Sequence, residues 1–141
     1  MSEISDFLDD FGATLTVLSR EGSQEFERRW LETFASRVKA HHGKWIYRGY
    51  RWHGFSYDLQ PYLKRGLRAI DIYLAQWPAE YVVFDEDLQE TLRCRSERYP
   101  DLSPLGNDLY VTHVNLKWTM AFTHEQPDIG PYFVTRDASI G

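Results

Sequence analysis

The chain carries a single cysteine, Cys94, in 141 residues, so no disulfide can form within it. Small secreted domains lean on several such bridges, and a lone thiol fits a reducing, cytoplasmic compartment. No run approaches the roughly 18 consecutive apolar residues that a membrane-spanning helix needs. Glu3, Asp6, Asp9 and Asp10 crowd the start, with no basic residue ahead of an apolar stretch, which argues against a secretory leader. Basic residues are outnumbered 16 to 21, giving a formal net charge of −5 and a pI near 5.5. That balance disfavours direct nucleic-acid binding, which rests on a basic field facing phosphates. It suits a basic protein partner, because acidic surfaces steer basic ones. A glycine-rich phosphate loop, a nucleophile elbow and a paired CxxC motif are also missing. No internal repeat or low-complexity tract divides the chain, which points to a single domain over residues 1–141.

What is present is a large apolar and aromatic fraction, 43% and 16%, enough for a packed core and too much for a disordered chain. The strongest pattern runs from Asp108 to Arg136. Three runs rich in β-branched and aromatic residues are separated by turn-prone residues, the signature of three strands. In the middle run Trp118, Met120, Phe122 and His124 alternate with Lys117, Thr119, Ala121, Thr123 and Glu125. Such alternation predicts a sheet with one buried face.

Elsewhere helices dominate. Ser2–Asp10 has a capping serine and apolar residues Ile4, Phe7, Leu8 and Phe11 at helical spacing, with Gly12 closing it. Thr14–Leu18 is an edge strand or a loop. Ser23–Lys39 reads as a helix capped by Ser23, with Phe26, Trp30, Leu31, Phe34 and Val38 as its apolar stripe. His41, His42 and Gly43 end it. Adjacent histidines lack the i, i+4 spacing of helical metal ligands, and cations suit a helix C-terminus.

Lys44–Asp58 is dense in aromatics, and Tyr50–Tyr57 is expected to be a strand with a bulge at Gly54. Arg48 and Arg51 there are compatible with base stacking, but a packed strand with an amphipathic rim is the plainer reading. Pro61–Gln76 reads as a second helix, starting at Pro61 or at Gly66. Leu63, Leu67, Ile70 and Leu74 form its expected stripe, with Tyr73 alongside, and Trp77-Pro78 ends it. Tyr81–Phe84 suits a central strand. Leu88–Cys94 is a paired strand or a short helix, and Ser96–Asn107 a loop. Asp85-Glu86-Asp87 lacks the spacing of a calcium loop. Cys94, flanked by Arg93 and Arg95, sits where a lowered thiol pKa is expected, although a lone thiol is more often structural.

Two segments carry a resemblance. Trp52-His53-Gly54-Phe55-Ser56-Tyr57 is similar to a strand motif of a bacterial family named domain of unknown function 4275. Asp108-Leu109-Tyr110-Val111, Trp118-Thr119, Thr123-His124-Glu125 and Gly130-Pro131-Tyr132-Phe133 resemble that family's closing motif, in the same order. The resemblance runs from Trp30 to Phe133. It implies a compact α+β domain and singles out Trp52, His53, Phe55, Tyr57, Trp118, Thr119, His124, Glu125, Gly130, Pro131 and Tyr132. Small solitary bacterial domains of this sort are often neighbours of toxins, which suggests an antitoxin or immunity role by association.

Chemistry would have to come from a polar cluster of His53, His124, Glu125 and Tyr132. Histidine and glutamate act as acid and base near neutral pH, and two histidines with a carboxylate also suit a divalent metal. His124 and Glu125 are adjacent, so on a regular strand they point to opposite faces. The structural alternative has His124 bonding backbone and Glu125 pairing with Arg51 or Arg136.

The sequence therefore predicts an α+β domain. A mixed or mainly antiparallel sheet of about four to six strands carries two main helices on one face. The expected function is a small acidic cytoplasmic binding protein that occludes a basic secreted toxin, needing no cofactor and touching neither nucleic acid nor membrane. Its expected contacts are Asp85, Glu86, Asp87, Asp101, Asp108, Asp128, Tyr47 and Tyr50. A small hydrolase or metal-dependent enzyme built on the histidine–glutamate cluster is the alternative, and an oligomerisation module the third.

Overall fold

The computed structural model describes residues 2–34, 63–85, 90–124 and 130–136. Helix α1 (Glu3–Phe11) opens with reciprocal caps: the Ser2 hydroxyl accepts from the Ser5 N–H at 3.0 Å, and the Ser5 hydroxyl accepts from the Ser2 N–H at 3.0 Å. Gly12, at φ 99°, closes it in the left-handed region that glycine enters without penalty. The edge strand β1 (Thr14–Val17) follows, as its β-branched run suggests.

Helix α2 (Arg20–Phe34) begins earlier than the expected Ser23. The Leu18 N–H bonds Thr91 O at 2.9 Å, so strand pairing continues to Leu18 and Ser19 becomes the first available cap. The Ser19 hydroxyl accepts from the Gly22 N–H at 3.0 Å, while Ser23 Oγ lies 2.7 Å from Thr91 Oγ1 and ties the helix to the sheet. Phe26, Trp30 and Phe34 are buried, as their spacing predicts.

Of the two expected starts of the second helix, Gly66 is the one adopted, and a strand precedes it. Leu63–Arg65 is a short strand, β2, and only Gly66–Leu74 is helical, as α3. Pairing of β2 with the last strand claims residues that a start at Pro61 would have put in the helix. Gly66, at φ 64° with its N–H bonded to Pro131 O at 2.9 Å, makes the corner. The turn presents Ala69 and Tyr73 to the core, while Leu67 and Leu74 of the expected stripe are exposed, Leu67 at 80%. Tyr73 can be buried because its hydroxyl donates to Pro100 O at 2.6 Å.

The remaining strands are β3 (Tyr81–Asp85), β4 (Thr91–Arg95), β5 (Leu109–His113), β6 (Trp118–Phe122) and β7 (Tyr132–Thr135). Among the described residues they form, with β1 and β2, one antiparallel sheet of seven strands in the order β1-β4-β3-β5-β6-β7-β2, larger than the four to six expected because β1 and β2 each add a short edge. Of the two readings of Leu88–Cys94, the paired strand is the one adopted, over Thr91–Arg95.

The sheet is buried on both faces, not one. Tyr81, Val83, Leu92, Val111, Trp118 and Met120 pack in a cluster with α1 and α3. Val82, Phe84, Tyr110, Ala121 and Val134 pack with α2. Trp30 lies 5.7 Å, centroid to centroid, from both Phe84 and Tyr110, whereas Tyr73 lies 5.6 Å from Trp118. The two main helices therefore take opposite faces rather than sharing one. The sequence alternation is real, but both of its phases are apolar enough to be covered.

Candidate functional site

Asp108 immediately precedes β5, and His124 follows β6 by two residues. The register that sets Leu109 opposite Phe122 brings the two side chains together at the end of the hairpin. Asp108 Oδ1 accepts from the His124 backbone N–H at 3.0 Å. His124 Nδ1 lies 2.9 Å from Oδ1 and 2.8 Å from Oδ2 of the same carboxylate. The Asp108 side chain is 10% exposed and that of His124 36%, so a largely buried carboxylate orients a ring at the surface. In the neutral ring this pairing favours the Nδ1–H tautomer, which makes Nε2 the basic nitrogen. The arrangement can hold an imidazole for proton transfer, and it equally pins the end of a hairpin. Asp108, expected as an exposed partner contact, is instead bonded to His124. His124 thus pairs with that carboxylate, where the sequence reading has it bonding backbone.

Tyr132 is 3% exposed and belongs to the cluster under α2, with the Arg65 guanidinium 5.7 Å from its ring centroid. His53 and Glu125 lie outside the described residues. So do Glu86, Asp87, Asp128, Tyr47 and Tyr50 among the expected contacts, and Trp52, Phe55 and Tyr57 among the family positions. Asp101 is exposed, with its carboxylate accepting from the Ser103 N–H at 3.0 Å, and Asp85 is half-buried at the end of β3. No group of three or more metal-ligating side chains occurs among the described residues.

The other singled-out positions have packing roles. Trp118 contacts Tyr73, Tyr99, His113 and Phe133. Thr119 Oγ1 accepts from the buried Trp30 indole N–H at 2.9 Å and lies 3.0 Å from Thr112 Oγ1. Gly130, at φ 82°, leaves no room for a side chain: a Cβ there would come within 2.9 Å of Thr123 Cγ2. It joins Pro131 through a cis peptide bond. Cys94 is 1% exposed, and burial pushes its thiol up to about 12, opposite to the lowered pKa that its arginine neighbours suggested.

A surface feature went unnoticed in the sequence. Trp77 is 90% exposed, and directly after it Pro78, Ala79 and Glu80 line a depression of about 560 Å³ with Gly12, Thr14, Arg95, Ser96 and Glu97. Glu80 Oε2 accepts from Arg93 Nε at 2.7 Å on its border. The available signal was that Trp77 lies three residues beyond Leu74 and extends the Leu67–Ile70–Leu74 stripe past the helix end.

The model of the domain of unknown function DUF4275 matches residues 3–133, and the chain belongs to that family. The match takes in α1 and β1, ahead of the Trp30 at which the motif resemblance begins. No curated protein and no solved structure matches the chain.

Proposed function

We propose that this chain is a small acidic binding protein of the immunity or antitoxin kind, which neutralises a basic toxin in the cytoplasm by occluding it. The observation that carries the reading is Trp77, a 90% exposed indole beside a depression edged by Glu80 and Glu97. Tryptophan is the side chain most enriched among binding anchors, and an anchor is most effective beside a pocket it shares with its partner. Gly12, in the same depression, ends a helix whose Asp9 and Asp10 are exposed, and that acidic charge would speed the approach of a basic partner. Asp101 and Asp85 extend the candidate contacts. The test is to co-express the chain with the C-terminal domain of the protein encoded beside it, and to follow growth and co-purification. Rescue with complex formation is expected, with affinity falling at least about tenfold in Trp77→Ala, the scale of a modest anchor. A harmless neighbour, or one that does not bind, ends this reading.

The Asp108–His124 pair favours a second reading, a small hydrolase with His124 as general base. Generic ester, phosphoester and peptide substrates would be turned over by the native chain and not by Asp108→Asn or His124→Ala. Equal background rates in all three remove it.

A further inference from the structure

Strand β1 ends the sheet, and its one neighbour among the described residues is β4. Soluble proteins blunt such edges with charge, proline, a bulge or a cover. Thr14-Leu15-Thr16-Val17 has neither charge nor proline, and it pairs with β4 through four consecutive residues without a bulge. Thr14, Thr16 and Val17 are exposed, Val17 at 68%.

The hydrogen-bond phase of this edge is fixed. The Leu18 N–H donates to Thr91 O at 2.9 Å, and the register sets Val17 opposite Leu92. Bonded and unbonded pairs alternate along an antiparallel ladder. Thr16–Arg93 and Thr14–Arg95 are therefore the bonded pairs, and the N–H and C=O groups of Leu15 and Val17 point away from β4. No turn, loop or cap among the described residues bonds to those four groups.

We propose that β1 pairs antiparallel with β1 of a second copy of this chain, about a two-fold axis at Thr16. Leu15 then faces Val17 of the second copy, and each such pair exchanges two backbone hydrogen bonds, so all four outward groups on each chain are satisfied. On one face an apolar Leu–Val pair forms twice, and on the other Thr16 meets Thr16, both favourable cross-strand combinations. Neighbouring registers do worse. A one-residue slip sets Leu15 and Val17 against Thr16 and Thr14, or against Leu18 and Thr16, whose backbone groups already serve β4. A two-residue slip sets Val17 against Ala13, whose N–H is bonded to Leu8 O at 3.0 Å, or Leu15 against Ser19 beyond the strand. The occupant is a second copy because this strand is its own complement in hydrogen bonding, face and size. The interface is uncharged while each chain carries −5, so added salt screens the mutual repulsion and tightens the dimer. That sign is opposite to the one expected for an acidic protein on a basic partner, and this inference does not depend on the proposed binding function.

Sedimentation of the intact chain across a wide micromolar range tests it, together with amide exchange at Leu15 and Val17. The mass should rise from 16.7 kDa towards twice that value with concentration, further at higher salt. Exchange at the two outward amides should slow at least about tenfold over the same range, as paired edge groups become protected. Two variants leave the monomer intact. Thr16→Glu lies opposite Arg93 in its own chain but sets two carboxylates across the axis. Val17→Pro removes an N–H that β4 does not use. Both should remain monomeric at every concentration. A native chain that stays at 16.7 kDa overturns the proposal, as does unchanged exchange at Leu15 and Val17, or a dimer that survives both variants.

Discussion

Thr119 shows how one hydroxyl is tied into the core. Its Oγ1 accepts from the Trp30 indole in a region with no exposed surface, so Thr119→Val keeps the volume and removes the acceptor. An indole N–H deprived of its buried acceptor costs about 1–3 kcal/mol, to be read as a lower urea midpoint at unchanged slope. Cys94 makes a chemical prediction. With the thiol at about 12 instead of 9.0, its thiolate fraction near neutral pH falls about a thousandfold, and its 1% exposure blocks reagents as well. Alkylation should be negligible in the native chain and rapid in denaturant, and mass spectrometry separates the two. The sequence showed Arg93 and Arg95 beside this thiol; it concealed that strand alternation turns both arginines to the face opposite Cys94. His113 supplies the pH dependence. Its pKa is lowered from 6.5, first by burial and then by Lys117 and Arg136, while its Nδ1 accepts from the Asn115 N–H at 3.0 Å. The folded state therefore holds the ring neutral. As pH falls through about 6.5 the unfolded chain gains its proton first, so stability present above that pH is lost below it. Denaturation midpoints on either side of pH 6.5 should show this decline, and His113→Gln should flatten it.

At the scale of elements, the connection from β6 to β7 depends on Gly130. Its φ of 82° lies in the left-handed region, and a Cβ would press on Thr123 Cγ2 at 2.9 Å and on Tyr132 Cε2 at 3.2 Å. Thr123 and Tyr132 are both buried and have little space to withdraw. Gly130→Ala should destabilise by at least about 1–2 kcal/mol from backbone conformation alone, with the contacts adding to it, measurable as a lower melting temperature. The closing strands were legible because β-branched and aromatic runs between turn residues have few other solutions. So was α1, whose serine cap and glycine stop are both written in the chain. The face of α3 was not. Leu67, Ile70 and Leu74 outscore Ala69 and Tyr73 in hydrophobicity, yet Tyr73 is the buried residue because Pro100 O accepts from its hydroxyl. That acceptor is 27 residues away, beyond the reach of any periodicity. The same distance effect hid the size of the sheet, since β1 and β2 become strands through partners at Arg93 and Phe133.

For the molecule as a whole, the central quantity is the placement of acidic charge. The candidate site is only partly legible: His124 stands out, but the sequence offers Asp108 only as a partner contact, because sixteen residues of hairpin separate it from His124. In the sequence Trp77 reads only as a helix stop. The acids of α1 were visible and under-used. Glu3 and Asp6 near its start favour the helix dipole, but Asp9 and Asp10 lie at its negative end, in a last turn that holds no basic residue. Carboxylates there work against folding, so a helix shaped by stability alone would carry lysine in their place. Under the proposed binding function, their place just before Gly12, which lines the depression, would let them draw in a basic partner. Asp9→Lys and Asp10→Lys should each raise stability by about 0.3–1 kcal/mol at low ionic strength. The same changes should slow association with a basic partner, and the deficit should shrink as salt screens the field. Stability and association rate would thus move in opposite directions in one pair of variants. If both variants gain stability and bind at the native rate, α1 has no part in recognition, and the search for the docking face moves to Asp85 and Asp101.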